Sequence, residues 1–178
     1  MNAIDLRHKN GDLHVMSVED TDGAIRLIKE WMGQRGISNG TKIEPTPEEF
    51  YFQFTGEDEA EIPFTIFQSK SWERTILILS QVDLSKEHVK SIESLRPKDR
   101  DEFLFDLRKD IAFTSASIAF DPDFNDTGII KSIQFQEEIC YDGLTEDRLN
   151  NAVKSVLKGS LFIIWRIRRE FGEIKGDE

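Results

Sequence analysis

The sequence predicts an α+β fold in which one antiparallel sheet packs against helices. Between residues 50 and 82, three short runs of hydrophobic residues recur with the two-residue period of β-strands, and only tight turns separate them. Helical spacing of hydrophobic residues precedes this region and returns twice after it. The predicted order is therefore α-β-β-β-α-β-β-α, with five strands in the sheet.

The first half of the chain supplies one helix and three strands. The helix is predicted between Asp20 and Gln34, where hydrophobic residues recur every three or four positions. The strands are predicted at Phe50–Thr55, Ile62–Gln68 and Thr75–Val82. The third strand is almost continuously apolar, which is typical of a central strand covered on both faces.

The second half supplies two helical regions and two strands. A helix begins at Ser85, and Pro97 divides it from a second segment because proline interrupts the hydrogen bonds of a helix. Strands are predicted over 113–120 and 129–139, joined by a turn. Thr145 is expected to cap the last helix, which extends to about Phe171.

We expect all 178 residues to form a single domain. Asn10-Gly11 is a typical hairpin turn, so residues 1–16 carry a signal for an extra N-terminal hairpin. Whether this hairpin packs on the sheet of its own chain or on a neighbouring molecule is left open. The charged residues 172–178 are expected to form a frayed tail.

Composition excludes several classes of function. The net charge of −11 opposes binding to nucleic acid or to anionic membranes. Cys140 is the only cysteine, which rules out an intramolecular disulfide and a zinc site built on thiolates. We expect Cys140 to be a small buried side chain and the protein to be cytoplasmic, because no segment is apolar enough for a signal peptide or a membrane span.

The last helix carries hydrophobic residues on two sides. One side is an ordinary core stripe from Leu149 to Phe171, and the opposite side carries another hydrophobic group. Basic residues flank this second group. The predicted partner-binding residues are Leu161, Phe162, Trp165, Lys154, Lys158 and Arg169.

The second hydrophobic group is either simply exposed, as single apolar residues often are, or hidden by one of three kinds of cover. The N-terminal hairpin of the same chain is one, a second copy in a homodimer is another, and a foreign protein is the third. Residues 148–169 contain six basic residues and no acidic residue, which gives this segment a charge of +6. Because the whole chain has a net charge of −11, the remainder carries −17. This separation of charge favours either self-association or an acidic protein partner.

The sequence contains no catalytic motif and indicates no cofactor. His8 and His14 could face each other across the Asn10-Gly11 turn, but a zinc site needs three or four ligands. The loop at 121–128 lacks the glycine and glutamate of a calcium-binding loop, so it is interpreted as a turn. A non-enzymatic protein-binding module is therefore the expected function, and an enzyme with a dispersed site, metal-dependent through His8 and His14, is the alternative.

The element order and the segment Cys140-Tyr-Asp-Gly-Leu-Thr-Glu-Asp-Arg-Leu resemble the type III secretion chaperone-like fold. They also resemble an uncharacterised archaeal family within that fold group, in which a turn corresponding to Asp142–Thr145 leads into the C-terminal helix. The resemblance implies the fold and a tendency to dimerise. It implies no particular binding residues, and the basic last helix departs from the general acidity of secretion chaperones.

Overall fold

The computed structural model describes residues 20–34, 50–58, 61–112, 116–120 and 130–173. The helices are α1 (Thr21–Gln34), α2 (Lys86–Ser94), α3 (Pro97–Ile111) and α4 (Glu146–Phe171). The strands are β1 (Phe50–Glu57), β2 (Pro63–Ser69), β3 (Thr75–Asp83), β4 (Ser117–Phe120) and β5 (Ser132–Cys140). A single 3-10 turn, Tyr141–Gly143, joins β5 to α4.

The five strands form one antiparallel sheet in the order β1-β2-β3-β5-β4. The predicted α+β class and strand count are thereby confirmed. The helical region after β3 consists of two helices, because the chain leaves helical geometry at Leu95 and α3 begins with Pro97. Proline suits that first position because its missing N–H would have no partner inside the helix.

The hydrophobic core lies between the helices and one face of the sheet, which we call the helical face. Alternation along each strand sends every second side chain to this face. Its buried strand residues include Phe52, Phe54, Phe64, Ile66, Ile76, Ile78, Ile133, Phe135 and Ile139. They form one cluster with buried side chains of the helices, among them Ile28, Leu107, Leu149, Val156 and Ile163.

The opposite face of the sheet is only partly covered. On β3, Leu77 is buried, Leu79 is half-buried and Gln81 is exposed. The prediction that β3 is covered on both faces therefore holds for the beginning of the strand and not for its end.

Cys140 corrects one expectation, because it is exposed and not buried. The alternation of β5 explains the difference. Ile139 points to the helical face, so the next residue along an extended strand points away from it.

Helix α4 lies across β3 and β5 at close range. Gly159 is buried against Phe135, and a Cβ atom at position 159 would overlap the phenyl ring. At the next residue, Ser160 Oγ donates a hydrogen bond to Ser80 Oγ at 2.8 Å. Ser80 Oγ in turn donates to the carbonyl of Pro63 at 2.8 Å, so buried hydroxyls connect α4, β3 and β2.

The predicted N-terminal hairpin and the predicted turn at 121–128 lie outside the described residues. So does most of the charged tail, of which Gly172 and Glu173 are described.

We expect Gly159→Ala to destabilise the protein. The added methyl group would force Phe135 or the helix to shift, and the free energy of unfolding should fall by about 1–2 kcal/mol even after the gain in helix propensity. Gly33→Ala is the matched control, because the space around Gly33 is open in α1. Chemical denaturation should show the control equal to the wild type or more stable by about 0.5–1 kcal/mol. Equal stabilities for Gly159→Ala and the wild type would contradict the close approach.

Candidate functional site

The start of α4 is fixed by its N-cap. Thr145 Oγ1 accepts a hydrogen bond from the backbone N–H of Arg148 at 3.2 Å, which confirms Thr145 as the capping residue. Glu146 and Asp147 stand in the first turn, where negative charge complements the helix dipole. Arg148 also approaches Glu137 of β5 at 3.5 Å, so this end of the helix is tied to the sheet.

The end of α4 is held by α2 and α3. Phe171 packs edge-on against Phe103 of α3, with ring centroids 5.2 Å apart. The guanidinium of Arg166 stands over the Phe103 ring at 5.7 Å and lies 3.9 Å from Asp110. His88 Nε2 of α2 is 3.3 Å from the carbonyl oxygen of Gly172, and these contacts together set which side of α4 faces solvent.

We use the term α4 outer surface for Lys154, Lys158, Leu161, Phe162, Trp165 and Arg169. Trp165 is 62% exposed, and Leu161 beside it is half-buried. Phe162 is also half-buried and packs against the core cluster, so it contributes only part of its ring to the surface. At helical spacing these three side chains and the three basic ones lie on the same side of α4.

The basic side chains of the α4 outer surface are electrostatically uncompensated. Lys154, Lys158 and Arg169 are exposed, and none makes an ion pair in the part of the chain that the structure describes. Arg166 and Arg168, by contrast, pair with Glu170 and Glu173 at 3.2 and 3.4 Å. The surface therefore combines an exposed tryptophan with positive charges that are available to a partner.

A second feature, which the sequence did not reveal, is a cleft of about 210 Å³ at one end of the sheet. It is lined by Asp20, Thr21, Tyr51, Gln68, Glu73, Arg74 and Tyr141. Tyr141 and Gln68 are both buried, and the Tyr141 hydroxyl hydrogen-bonds Gln68 Oε1 and lies 3.2 Å from Thr21 Oγ1. This buried polar contact ties the 3-10 turn to β2 and to the start of α1.

Arg74 covers the Tyr141 ring at the cleft. Its guanidinium lies 5.4 Å from the ring centroid, a cation–π distance. Arg74 has a backbone φ of 59°, a left-handed conformation that is unfavourable for residues with a side chain. The backbone N–H of Tyr141 donates to the Arg74 carbonyl at 2.9 Å. A backbone hydrogen bond and a cation–π contact therefore both join the strained turn to the tyrosine.

Metal-binding chemistry has no support among the described residues, which contain no group of three His, Cys, Asp or Glu side chains suited to a metal. His8 and His14, on which the enzyme alternative depends, lie outside them. In the acidic turn after β1, Asp58 Oδ1 accepts from the N–H of Ile62 at 2.8 Å, which is a structural role. Both ring nitrogens of His88 make hydrogen bonds, Nδ1 with Ser85 Oγ at 3.1 Å and Nε2 with the carbonyl oxygen of Gly172.

The chain was compared with protein-family models and with solved structures. The model of the uncharacterised conserved protein family DUF2299 matches residues 24–167. An uncharacterised protein from Methanothermobacter thermautotrophicus has a crystal structure similar to this chain, with a TM-score of 0.73 and 26% sequence identity. The match covers 83% of this chain and 98% of that one.

A chain of the ExsC–ExsE complex is also similar, with a TM-score of 0.51 and 16% identity over 84% of this chain and 95% of that chain. At this identity the likeness concerns the fold alone, and it confirms the predicted secretion chaperone-like fold. No curated protein matches the chain. Within the described residues, no helix has the length and apolar character needed to cross a membrane.

We expect Tyr141→Phe to lower the free energy of unfolding by about 1–3 kcal/mol, because it leaves the buried Gln68 carbonyl without its phenol donor. Tyr51→Phe is the control, since Tyr51 lines the same cleft but is 43% exposed. Its effect should stay within about 0.5 kcal/mol. Thermal or urea unfolding measures both, and equal effects of the two substitutions would argue against the buried contact.

Proposed function

This chain belongs to the uncharacterised conserved family DUF2299, and from that premise we propose that it is a non-enzymatic, homodimeric protein-binding module with chaperone-like architecture. Its α4 outer surface contacts a partner polypeptide that presents hydrophobic residues flanked by carboxylates. The cytoplasm, suggested by the amino-acid composition, is the proposed compartment.

The exposure of Trp165 carries this proposal. The side chains of α4 that pack within the chain lie on the core stripe, whereas 62% of Trp165 faces solvent on the opposite side. Tryptophan is among the residues that contribute most to protein–protein binding, because it buries a large area with few rotatable bonds. Leu161, one turn earlier, extends the hydrophobic contact.

The charges around Trp165 favour an acidic partner over a second copy at this surface. A twofold antiparallel contact centred on Leu161 and Phe162 would bring Lys154 against Arg169 of the second copy, and like charges at an interface repel. Carboxylates of a different polypeptide would instead pair with them. The homodimer that the fold resemblance implies therefore uses another surface.

The acidity of the rest of the chain narrows where such a partner can bind. With −17 outside residues 148–169, the body repels acidic polypeptides except at α4. Binding should weaken with rising salt, because the basic residues are exposed and screened by ions.

The test uses two labelled synthetic amphipathic peptides and fluorescence anisotropy. One peptide carries leucines on one face flanked by glutamates, and the other has lysines in place of the glutamates. We expect the acidic peptide to bind and the basic peptide not to bind. Trp165→Glu should weaken binding of the acidic peptide roughly 30-fold, the effect of losing about 2 kcal/mol at one interface residue.

Two further variants complete the design. Lys154→Glu combined with Lys158→Glu should also weaken binding and reduce its salt dependence. Trp72→Glu is the control, because Trp72 is exposed in the β2–β3 turn and not on α4, and its substitution should leave the affinity unchanged. If the basic peptide bound as well as the acidic one, or if Trp165→Glu had no effect in a folded protein, the α4 outer surface would not be the binding site.

A further inference from the structure

Helix α3 exposes a large hydrophobic side chain at the centre of its solvent-facing side. Phe105 is 65% exposed, more than Trp165. The core-facing residues of α3 are Phe103, Leu104, Leu107 and Ile111, all of which are buried. Phe105 therefore points away from the hydrophobic core of its own domain.

The charges around Phe105 are arranged in two groups of opposite sign. Asp101 and Glu102, one turn before it, are exposed and acidic, whereas Arg108 and Lys109, one turn after it, are exposed and basic. At about 100° per residue, all four lie within about 60° of the direction of Phe105. Within about one turn of Phe105, the outer face of α3 is thus negative on one side of the ring and positive on the other, and Lys98, a further turn before Asp101 and Glu102, is exposed on the same face.

Such a face is complementary to itself only in one arrangement. If two copies meet antiparallel about a twofold axis at Phe105, Asp101 lies opposite Arg108 of the second copy, and Glu102 lies opposite Lys109 of the second copy. A parallel pairing would place like charges together. Twofold interfaces have this self-complementary character, because each half of the surface contacts the other half on the partner.

The remaining acidic residues of α3, Asp99, Asp106 and Asp110, each have a basic neighbour within the chain. Asp110 faces Arg166 of α4 at 3.9 Å, on the side toward the domain. Asp106 binds Lys109 at 2.7 Å, and this contact raises the pKa of Lys109 and lowers the pKa of Asp106. The Asp106–Lys109 pair is exposed and therefore weak, and the ammonium group of Lys109 keeps donor hydrogens for Glu102 of a second copy.

We propose that α3 forms an antiparallel, twofold contact with α3 of a second copy, centred on Phe105. This contact supplies the interface of the proposed homodimer and rests on that part of the proposed function. It is independent of partner binding through α4.

The expected dimer is of modest strength. Stable interfaces bury about 1,200–2,000 Å² in total, and a helix of 15 residues extends only about 22 Å. A pair of such helices covers less than a typical stable interface. The dimer should therefore dissociate on dilution and weaken in high salt.

Sedimentation velocity over a wide range of protein concentration tests the interface. The wild type should show a monomer–dimer equilibrium, and Phe105→Glu should weaken self-association roughly 30-fold while circular dichroism shows an unchanged fold. Trp165→Glu is the matched control, since it removes an equally exposed aromatic side chain from another helix. It should leave the dimer intact and weaken only the binding of the acidic peptide.

A charge exchange tests the antiparallel arrangement. One variant carries Asp101→Lys with Glu102→Lys, and the other carries Arg108→Glu with Lys109→Glu. Each variant alone should be monomeric, because like charges then meet across the axis. An equimolar mixture should form a heterodimer, because every pair across the interface is again of opposite sign.

The possible outcomes of these experiments distinguish the α3 interface from partner binding through α4. A wild type that stays monomeric at every concentration overturns the dimer, although peptide binding through α4 would still stand. A dimer that survives Phe105→Glu, or two charge variants that fail to associate when mixed, overturns the α3 interface and leaves a dimer with another contact. Loss of peptide binding in Trp165→Glu with an unchanged dimer supports both proposals separately.

Discussion

The fold depends on the close approach between α4 and the sheet at Gly159. Because this position has no side chain, the Phe135 ring lies directly under the helix backbone, and Ser160 reaches Ser80 with a short hydroxyl. A larger residue at either position would lift the helix from the strands. The depth of the helix in turn decides which of its residues are buried, and so leaves Trp165 and the basic residues near it on the solvent side.

The exposed aromatic side chains of α3 and α4 differ in the charges that surround them. Around Trp165 the flanking charges are all positive, so the surface is complementary to something unlike itself. Within about one turn of Phe105 the charges are negative on one side of the ring and positive on the other, so the surface is complementary to itself in an antiparallel pairing. The contacts of Phe103 with Phe171 and Arg166 join α3 to the C-terminal end of α4.

Periodicity in the sequence predicted the element order, the strand count and the solvent-facing side of α4, because each depends on spacing within one segment. The cleft at Tyr141 could not be predicted in this way, since its hydrogen bond joins residues 73 positions apart. Cys140 was expected in the core because lone cysteines are often buried, and the alternation of β5 overrode that tendency. The self-complementary side of α3 was missed because its single phenylalanine lies between polar residues and adds little to a hydrophobic pattern.

Asn150 shows a cost that only the three-dimensional structure makes visible. It is buried near the start of α4, and neither its amide nitrogen nor its oxygen has a hydrogen-bond partner among the described residues. A buried amide without partners lowers stability, so the hydrophobic contacts around it must compensate.

The edge of the sheet formed by β4 bears on how the protein behaves when it is concentrated. An exposed strand edge can recruit further strands and lead to open-ended fibres. Here β4 has only four residues, and the longer β5 behind it carries Glu137 and Glu138 next to the part that β4 leaves unpaired. The short length of this edge and its negative charge both oppose the pairing of a further strand. Concentrated molecules of this protein should therefore not add strands readily at this edge.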